Sequence, residues 1–335
     1  MILHGIEQAI SLYSFTERFV GRRDYGLADM FAELNSLGIS KYELIGSQVF
    51  EQYPRPAARE IDAVLEAADA AGVTPFSYGG YLDIGRVTGR IPGDADIVLD
   101  LTADLMTARD LKCSYLRSGD IPLRLLPLAA QLAENYGVKV GVEVHAPHTP
   151  GDAPTQAMLA EFERIDSPWL GFVPDFGCFI ERPSEPALQR FLGLGASREN
   201  LEYIIANRHS GTSADELTEE IERTRGGGLG EKMAISEFFG YLSFGPADVE
   251  GFKSLLSRVH YFHSKFYHIT EDLTDPTIPV EQLLAAIVES GFEGILLSEY
   301  EGHAFYLDDA HEQLDRHLRL EQRVLQSLQG AHVPA

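Results

Sequence analysis

Along this chain, short runs rich in β-branched and aromatic residues alternate with longer stretches in which apolar positions recur every three or four residues, the periods of strand and helix respectively. The pattern predicts eight strands, at 9–13, 42–45, 74–78, 114–117, 139–144, 170–174, 260–266 and 294–298. Helical periodicity fills 27–37, 57–71, 94–111, 123–136, 155–165, 280–290 and 308–326. Gly38, Gly72, Gly137 and Gly291 each follow a predicted helix, where a left-handed residue closes the last turn cheaply before the next strand starts. Strand–helix units repeated eight times predict a right-handed parallel arrangement, and a (β/α)8 TIM barrel closes it without edges; an open doubly wound sheet is the competing arrangement. The 335 residues fit one such domain, 1–335. One segment breaks the rhythm: 183–246 is too long for a strand-to-helix connection and contains Arg225-Gly-Gly-Gly228, so it is predicted to be a helical insertion after strand six.

Charge narrows the function. With 27 basic against 51 acidic residues and a net charge of −24, the chain lacks the clustered cations that neutralise phosphates, so nucleic acid is not an expected partner. The only cysteines, Cys113 and Cys178, exclude a disulfide framework, and no apolar run long enough for a signal or membrane span precedes Tyr13. A reducing cytoplasm is the expected location, with no membrane partner.

In a barrel of this kind, side chains at the C-terminal ends of the strands point into the mouth, so charged residues ending apolar runs are functional candidates. Strand five ends in Glu143 and His145, strand six in Asp175, strand seven carries His263 and Lys265, and strand eight ends in Glu299 and Glu301. Three carboxylates converging on one face repel one another unless a cation lies between them, and an imidazole completes a mixed oxygen and nitrogen set. Glu143, Asp175, His263 and Glu299 are therefore the expected ligands of one divalent metal. Mn²⁺ suits the set best, Mg²⁺, Co²⁺ or Fe²⁺ are substitutes, and Zn²⁺ fits poorly with so much carboxylate. A lone strand-end carboxylate is ordinarily just solvated; four such residues on four consecutive strands are not explained that way.

At these residues the sequence resembles the xylose isomerase-like barrels of the sugar phosphate isomerase/epimerase superfamily, whose metal is held by Glu, Asp, His and Glu from successive strand ends. Longer runs resemble the α subunit of C-glycoside deglycosidases: Ser11-Leu-Tyr-Ser-Phe-Thr-Glu-Arg18, Gln48-Val-Phe-Glu-Gln-Tyr-Pro-Arg-Pro56, Tyr78-Gly-Gly-Tyr-Leu-Asp-Ile-Gly85, Val173-Pro-Asp-Phe-Gly-Cys178 and Ser298-Glu-Tyr-Glu-Gly-His-Ala-Phe305. The resemblance implies a lyase that cleaves the bond between a 3-oxo-glucosyl group and an aromatic aglycone. It also implies Mn²⁺ and a small β subunit in a hetero-oligomer.

A C3 ketone acidifies the C2 proton, and a neutral imidazole is a suitable base near pH 7. His145, sharing the inward parity of Glu143, is the expected base, with Glu143 and Glu299 in the catalytic set. Glu43, Tyr78, Lys265, Glu301 and His303 are expected to bind substrate, with Lys265, His268, Glu301 and His303 as candidate proton donors. Tyr13, Phe15, Phe76, Tyr78, Tyr81 and Phe176 are candidate walls for sugar and aglycone. Many ketose epimerases of the superfamily carry a His three residues after the metal-binding Asp; here Cys178 holds that place, which disfavours plain epimerisation. The alternative readings are a sugar isomerase, epimerase or 3-keto-sugar hydratase using the same metal, an abasic-site nuclease, and a non-catalytic scaffold.

Overall fold

The computed structural model describes residues 2–80, 89–119, 121–240 and 244–331. Among these, eight parallel strands form one curved sheet: β1 (Ile6–Ser11), β2 (Lys41–Ile45), β3 (Thr74–Gly79), β4 (Tyr115–Ser118), β5 (Lys139–Val144), β6 (Leu170–Pro174), β7 (Phe262–Phe266) and β8 (Gly294–Tyr300). Their order is β6-β5-β4-β3-β2-β1-β8-β7. The two ends meet through isolated parallel bridges, Phe172 with Val259 and Asp175 with His263. The predicted barrel is therefore present, with a thinly bonded seam between β6 and β7.

Several strand boundaries move, among them the start of β7, at Phe262 rather than residue 260, and the end of β8, at Tyr300 rather than residue 298. β1 runs from Ile6 rather than residue 9, because Ile6–Ile10 pair with Gly294–Ser298. After Ser11 the chain turns into a 3-10 segment, Leu12–Phe15, whose Ser14 Oγ accepts the Tyr300 N–H, so Tyr13 lies on a loop. The four helix-ending glycines do adopt left-handed backbone, with φ of 73° at Gly38, 69° at Gly72, 68° at Gly137 and 70° at Gly291.

The long connection after β6 carries helices Glu185–Gly193, Arg198–Asn207, Ala214–Thr224 and Leu229–Gly240. Their apolar faces bury a core of their own around Phe191, Leu201, Leu217 and Phe238, distinct from the main core. A further helix, Val249–Leu255, which the periodicity had not distinguished, returns to the barrel and packs Phe252 into the main core.

Alternation along the strands sorts the barrel interior into layers. A lower apolar layer holds Ala9, Phe76, Val173, Tyr261, Ile295 and Leu297. Two residues further along the same strands, Ala9 is succeeded by Ser11, Val173 by Asp175, Tyr261 by His263 and Leu297 by Glu299, so the polar layer stands directly on the apolar one. At the seam, a Cβ on Gly171 would lie 2.6 Å from the Arg258 carbonyl oxygen and 2.9 Å from the His260 ring. Gly171→Ala should therefore destabilise the fold by about 1–3 kcal/mol through overpacking, read as a lower denaturant midpoint; an unchanged midpoint would mean that the seam opens without loss.

Candidate metal centre at the barrel mouth

The four predicted ligands do converge, in two overlapping groups that share His263. Ligand atoms of Glu143, Asp175 and His263 all lie within 4.8 Å of one another, and so do those of Glu43, His263 and Glu299. His263 Nδ1 is 3.3 Å from Glu299 Oε2 and 3.6 Å from Glu143 Oε1. Asp175 Oδ1 accepts the Gly177 N–H at 2.6 Å, opening the 3-10 turn Phe176–Phe179 and leaving Oδ2 facing the cluster. Asp175 Oδ2 and His263 Nδ1 are both buried without a hydrogen bond. Buried polar atoms without a hydrogen bond are rare in native proteins, and here they are a carboxylate oxygen and an imidazole nitrogen from residues whose ligand atoms lie within 4.8 Å of one another. Among the described residues, this donor set fits a divalent cation.

Two buried cations share the site. Arg117, 3% exposed, donates from Nη1 to Glu143 Oε2 at 2.6 Å and from Nη2 to Glu43 Oε1 at 3.0 Å. Lys265 Nζ lies 2.8 Å from Asp175 Oδ2, 3.0 Å from Glu301 Oε1 and 3.4 Å from Glu299 Oε2. The Asp175 contact is an ion pair, so Oδ2 has a charged neighbour although it accepts no hydrogen bond. Burial works against the ammonium, but Asp175, Glu301 and Glu299 hold its pKa well above the usual lysine range. Burial likewise opposes the Glu299 charge, while His263 and Lys265 keep that carboxyl well below its usual range.

His145 is at the mouth with its side chain half exposed. Its Nδ1 lies 2.7 Å from the Ala146 carbonyl, an obligate acceptor, so Nδ1 carries the hydrogen and Nε2 presents its lone pair. Lys265 Nζ donates to that Nε2 at 3.0 Å. A cavity of about 220 Å³ is lined by Tyr13, Arg117, Glu143, His145, Lys265, Glu299 and Glu301. His303 stands at its rim, edge-on to Tyr13 at 4.7 Å and 3.6 Å from Glu301 Oε2.

Other expected substrate contacts are not at the mouth. Glu43 is fully buried two residues inside the end of β2, enclosed by Arg117, Tyr261 and His263. Tyr78 is fully buried and faces outward, against Phe50 and Gly46. The cause is a register slip: Tyr42 and Glu43 pair with Pro75 and Ser77, skipping Phe76, so the inward position passes from Tyr78 to Ser77, whose Oγ meets the Tyr261 hydroxyl at 2.8 Å. Phe15 and Phe176 are buried in the main core and Phe76 in the lower layer, leaving Tyr13 as the aromatic wall among the described residues; Tyr81 lies outside them. His268 turns toward Gln313 of the C-terminal helix. Cys178 donates its thiol to the Val144 carbonyl at 3.1 Å, and burial pushes its pKa up, so it is no nucleophile. Arg117 and Tyr261 were missed, although Arg117 follows the same rule as the acids, a charge closing a short strand.

Burial disfavours a charged His263, yet Glu299 and Glu43 push its pKa up to about 10. An imidazole binds a metal ion only as the neutral ring, so an incoming ion displaces this proton. Affinity for a divalent ion should therefore rise with pH through the neutral range toward 10, with about one proton released per ion near pH 7.5, measured calorimetrically in buffers of different ionisation enthalpy. Affinity independent of pH between about 6 and 9 would exclude His263 as the displaced group.

No protein-family model matches the chain. It is 27% identical over 342 residues to the 3′-dehydrocarminate deglycosidase alpha subunit of a Microbacterium species, covering 96% of each protein. It is 27% identical over 307 residues to the C-glycoside deglycosidase alpha subunit of Microbacterium trichothecenolyticum, covering 88% of this chain and 83% of that one. Among solved structures, a xylose isomerase domain protein from Planctomyces limnophilus superposes with a TM-score of 0.55 at 13% identity, covering 98% of this chain and 99% of its own. The chain is thus similar over most of its length to C-glycoside deglycosidase alpha subunits, and it has the fold of the xylose isomerase-like barrels.

Proposed function

We propose that this chain is the metal-dependent catalytic alpha subunit of a C-glycoside deglycosidase, a lyase that splits a 3-oxo-C-glucoside into its aglycone and a 1-ene-3-keto sugar. The observation that carries the reading is the buried convergence of Glu143, Asp175, His263 and Glu299 beside a solvent-reaching imidazole, His145. That the similarity to deglycosidase subunits spans the strands bearing these residues supports it further. The site sits on one barrel domain into which 183–246 is inserted.

Glu143, Asp175, His263 and Glu299 would hold the ion, with Mn²⁺ best matched to their oxygen-rich set and Mg²⁺, Co²⁺ or Fe²⁺ as substitutes. When bound, such an ion supplies Lewis-acid polarisation of the C3 ketone. The rest falls to side chains. His145 takes the C2 proton at Nε2 once substrate has replaced Lys265 Nζ as that atom's hydrogen-bond partner, while the Ala146 carbonyl keeps the other nitrogen protonated and the ring oriented. The electron pair released at C2 returns to form the C1–C2 double bond as the C1–aglycone bond breaks, and the departing aryl carbon takes up a proton. Glu301, His303 and Lys265, grouped at the rim, are the groups from which that proton comes and which bind the sugar hydroxyls. Tyr13 offers a flat wall to the substrate.

The designation of the relatives as alpha subunits supports a partner, read here as a small β subunit in a hetero-oligomer. The free thiols of Cys113 and Cys178 fit a reducing cytoplasm as its place of work. Among the described residues, no helix is long and apolar enough to cross a membrane.

Aglycone release from a 3-oxo-C-glucoside by the Mn²⁺-loaded complex should stop on chelation; release that persists in metal-free protein contradicts the proposal. Glu143→Ala and Glu299→Ala should each abolish metal uptake and turnover, whereas near-normal activity in either would remove that residue from the ligand set. His145→Ala should keep full metal content and lose about 10²–10⁴-fold in kcat. A C2-deuterated substrate should slow the wild type, and the absence of any isotope effect together with a fully active His145→Ala would reject the proposed base.

A further inference from the structure

The two ring nitrogens of His263 face different neighbours. Nδ1 looks into the acid cluster and makes no hydrogen bond, while Nε2 lies 2.9 Å from Glu43 Oε1. An imidazole that holds an ion through one nitrogen donates from the other, and the acceptor on that far side fixes both the tautomer and the ring's orientation. We propose that Glu43 and Arg117 form a positioning pair: Glu43 keeps the His263 hydrogen on Nε2 so that Nδ1 presents its lone pair to the ion, and Arg117 locks Glu43 and Glu143 in one fork.

The inference rests on the reading of the cluster as a divalent-cation site. Glu43 is unsuited to be a ligand itself, because its oxygens are already taken. Oε1 accepts from Arg117 Nη2 at 3.0 Å, from His263, and from Ser11 Oγ at 3.5 Å. Oε2 accepts from the Tyr261 hydroxyl at 2.7 Å, and Arg117 Nε reaches both oxygens at 3.2 Å. A carboxylate held by this many donors is rigid, and rigidity is what aiming a ring requires.

Arg117 extends the same control to a second ligand. Its Nη1 takes Glu143 Oε2, leaving Glu143 Oε1 to face His263 Nδ1 at 3.6 Å. One planar guanidinium on β4 thereby spans a carboxylate from β2 and another from β5. Lysine, a point charge on a flexible stem, cannot hold both in fixed geometry. Nearly complete burial of Glu43, Arg117 and His263 keeps water from replacing these bonds.

The test is metal binding by the full chain, with Mn²⁺ affinity measured by chelator competition and ligand geometry by the visible absorption of the Co²⁺-loaded protein. Glu43→Gln and Arg117→Lys should each weaken Mn²⁺ binding about 10–100-fold and shift the Co²⁺ band, in protein that still melts cooperatively without metal. Tyr261→Phe, which removes one donor to Glu43 and keeps the ring packing, should give a smaller loss in the same direction and covers the case in which the charge variants fail to fold. Unchanged Mn²⁺ affinity and an unchanged Co²⁺ band in folded variants would overturn the positioning role while leaving the metal site standing. A wild-type chain that takes up neither ion would overturn the metal reading itself.

Discussion

Everything at the mouth of this barrel and just beneath it follows from the repulsion among Glu43, Glu143, Asp175, Glu299 and Glu301, five carboxylates drawn into a largely buried space. At an effective dielectric of about 20, two like charges 4 Å apart repel by about 4 kcal/mol, and whole domains are stable by only about 5–15 kcal/mol. The fold accommodates the acids by threading positive groups between them. Arg117 separates Glu43 from Glu143, and Lys265 joins Asp175, Glu299 and Glu301. His263 completes the balance by holding a proton. Among the described residues, two permanent cations against five carboxylates leave room for a further divalent charge, which is the electrostatic basis of the proposed chemistry.

The barrel makes this concentration possible at modest cost to its core. The acids stand one pleat above an apolar layer of Ala9, Phe76, Val173, Tyr261 and Leu297, so the polar and apolar interiors share strands without mixing. Tyr261 belongs to both, packing its ring below and giving its hydroxyl to Glu43 above. The seam between β6 and β7 also has a consequence for the site. Asp175 and His263 form one of the two bridge pairs that close the sheet there, so a backbone contact that helps complete the barrel also brings two of the candidate ligands together.

Much of this was legible in the sequence, for identifiable reasons. Period-two runs ending in a charge located Glu143, Asp175, His263 and Glu299, because the strand ends of a parallel barrel leave an inward polar side chain few other places to go. Helix-ending glycines located the start of the next strands. What escaped notice depended on contacts between strands. The slip at Phe76 that turns Tyr78 outward leaves no mark in the local pattern. Glu43 carried the right charge at an inward position, but its depth in β2 and its enclosure by Arg117 and Tyr261 arise from three different strands or their flanks. The role of Arg117 is likewise set across strands, by its pairing with Glu43 on β2 and Glu143 on β5.

Whether one divalent ion sits among Glu143, Asp175, His263 and Glu299 can be read from anomalous diffraction at the manganese edge, using crystals grown with Mn²⁺. A single strong peak is expected within about 2.0–2.6 Å of a carboxylate oxygen from each acid and of His263 Nδ1. A peak elsewhere, or His263 ligating through Nε2 with Glu43 displaced, would contradict it.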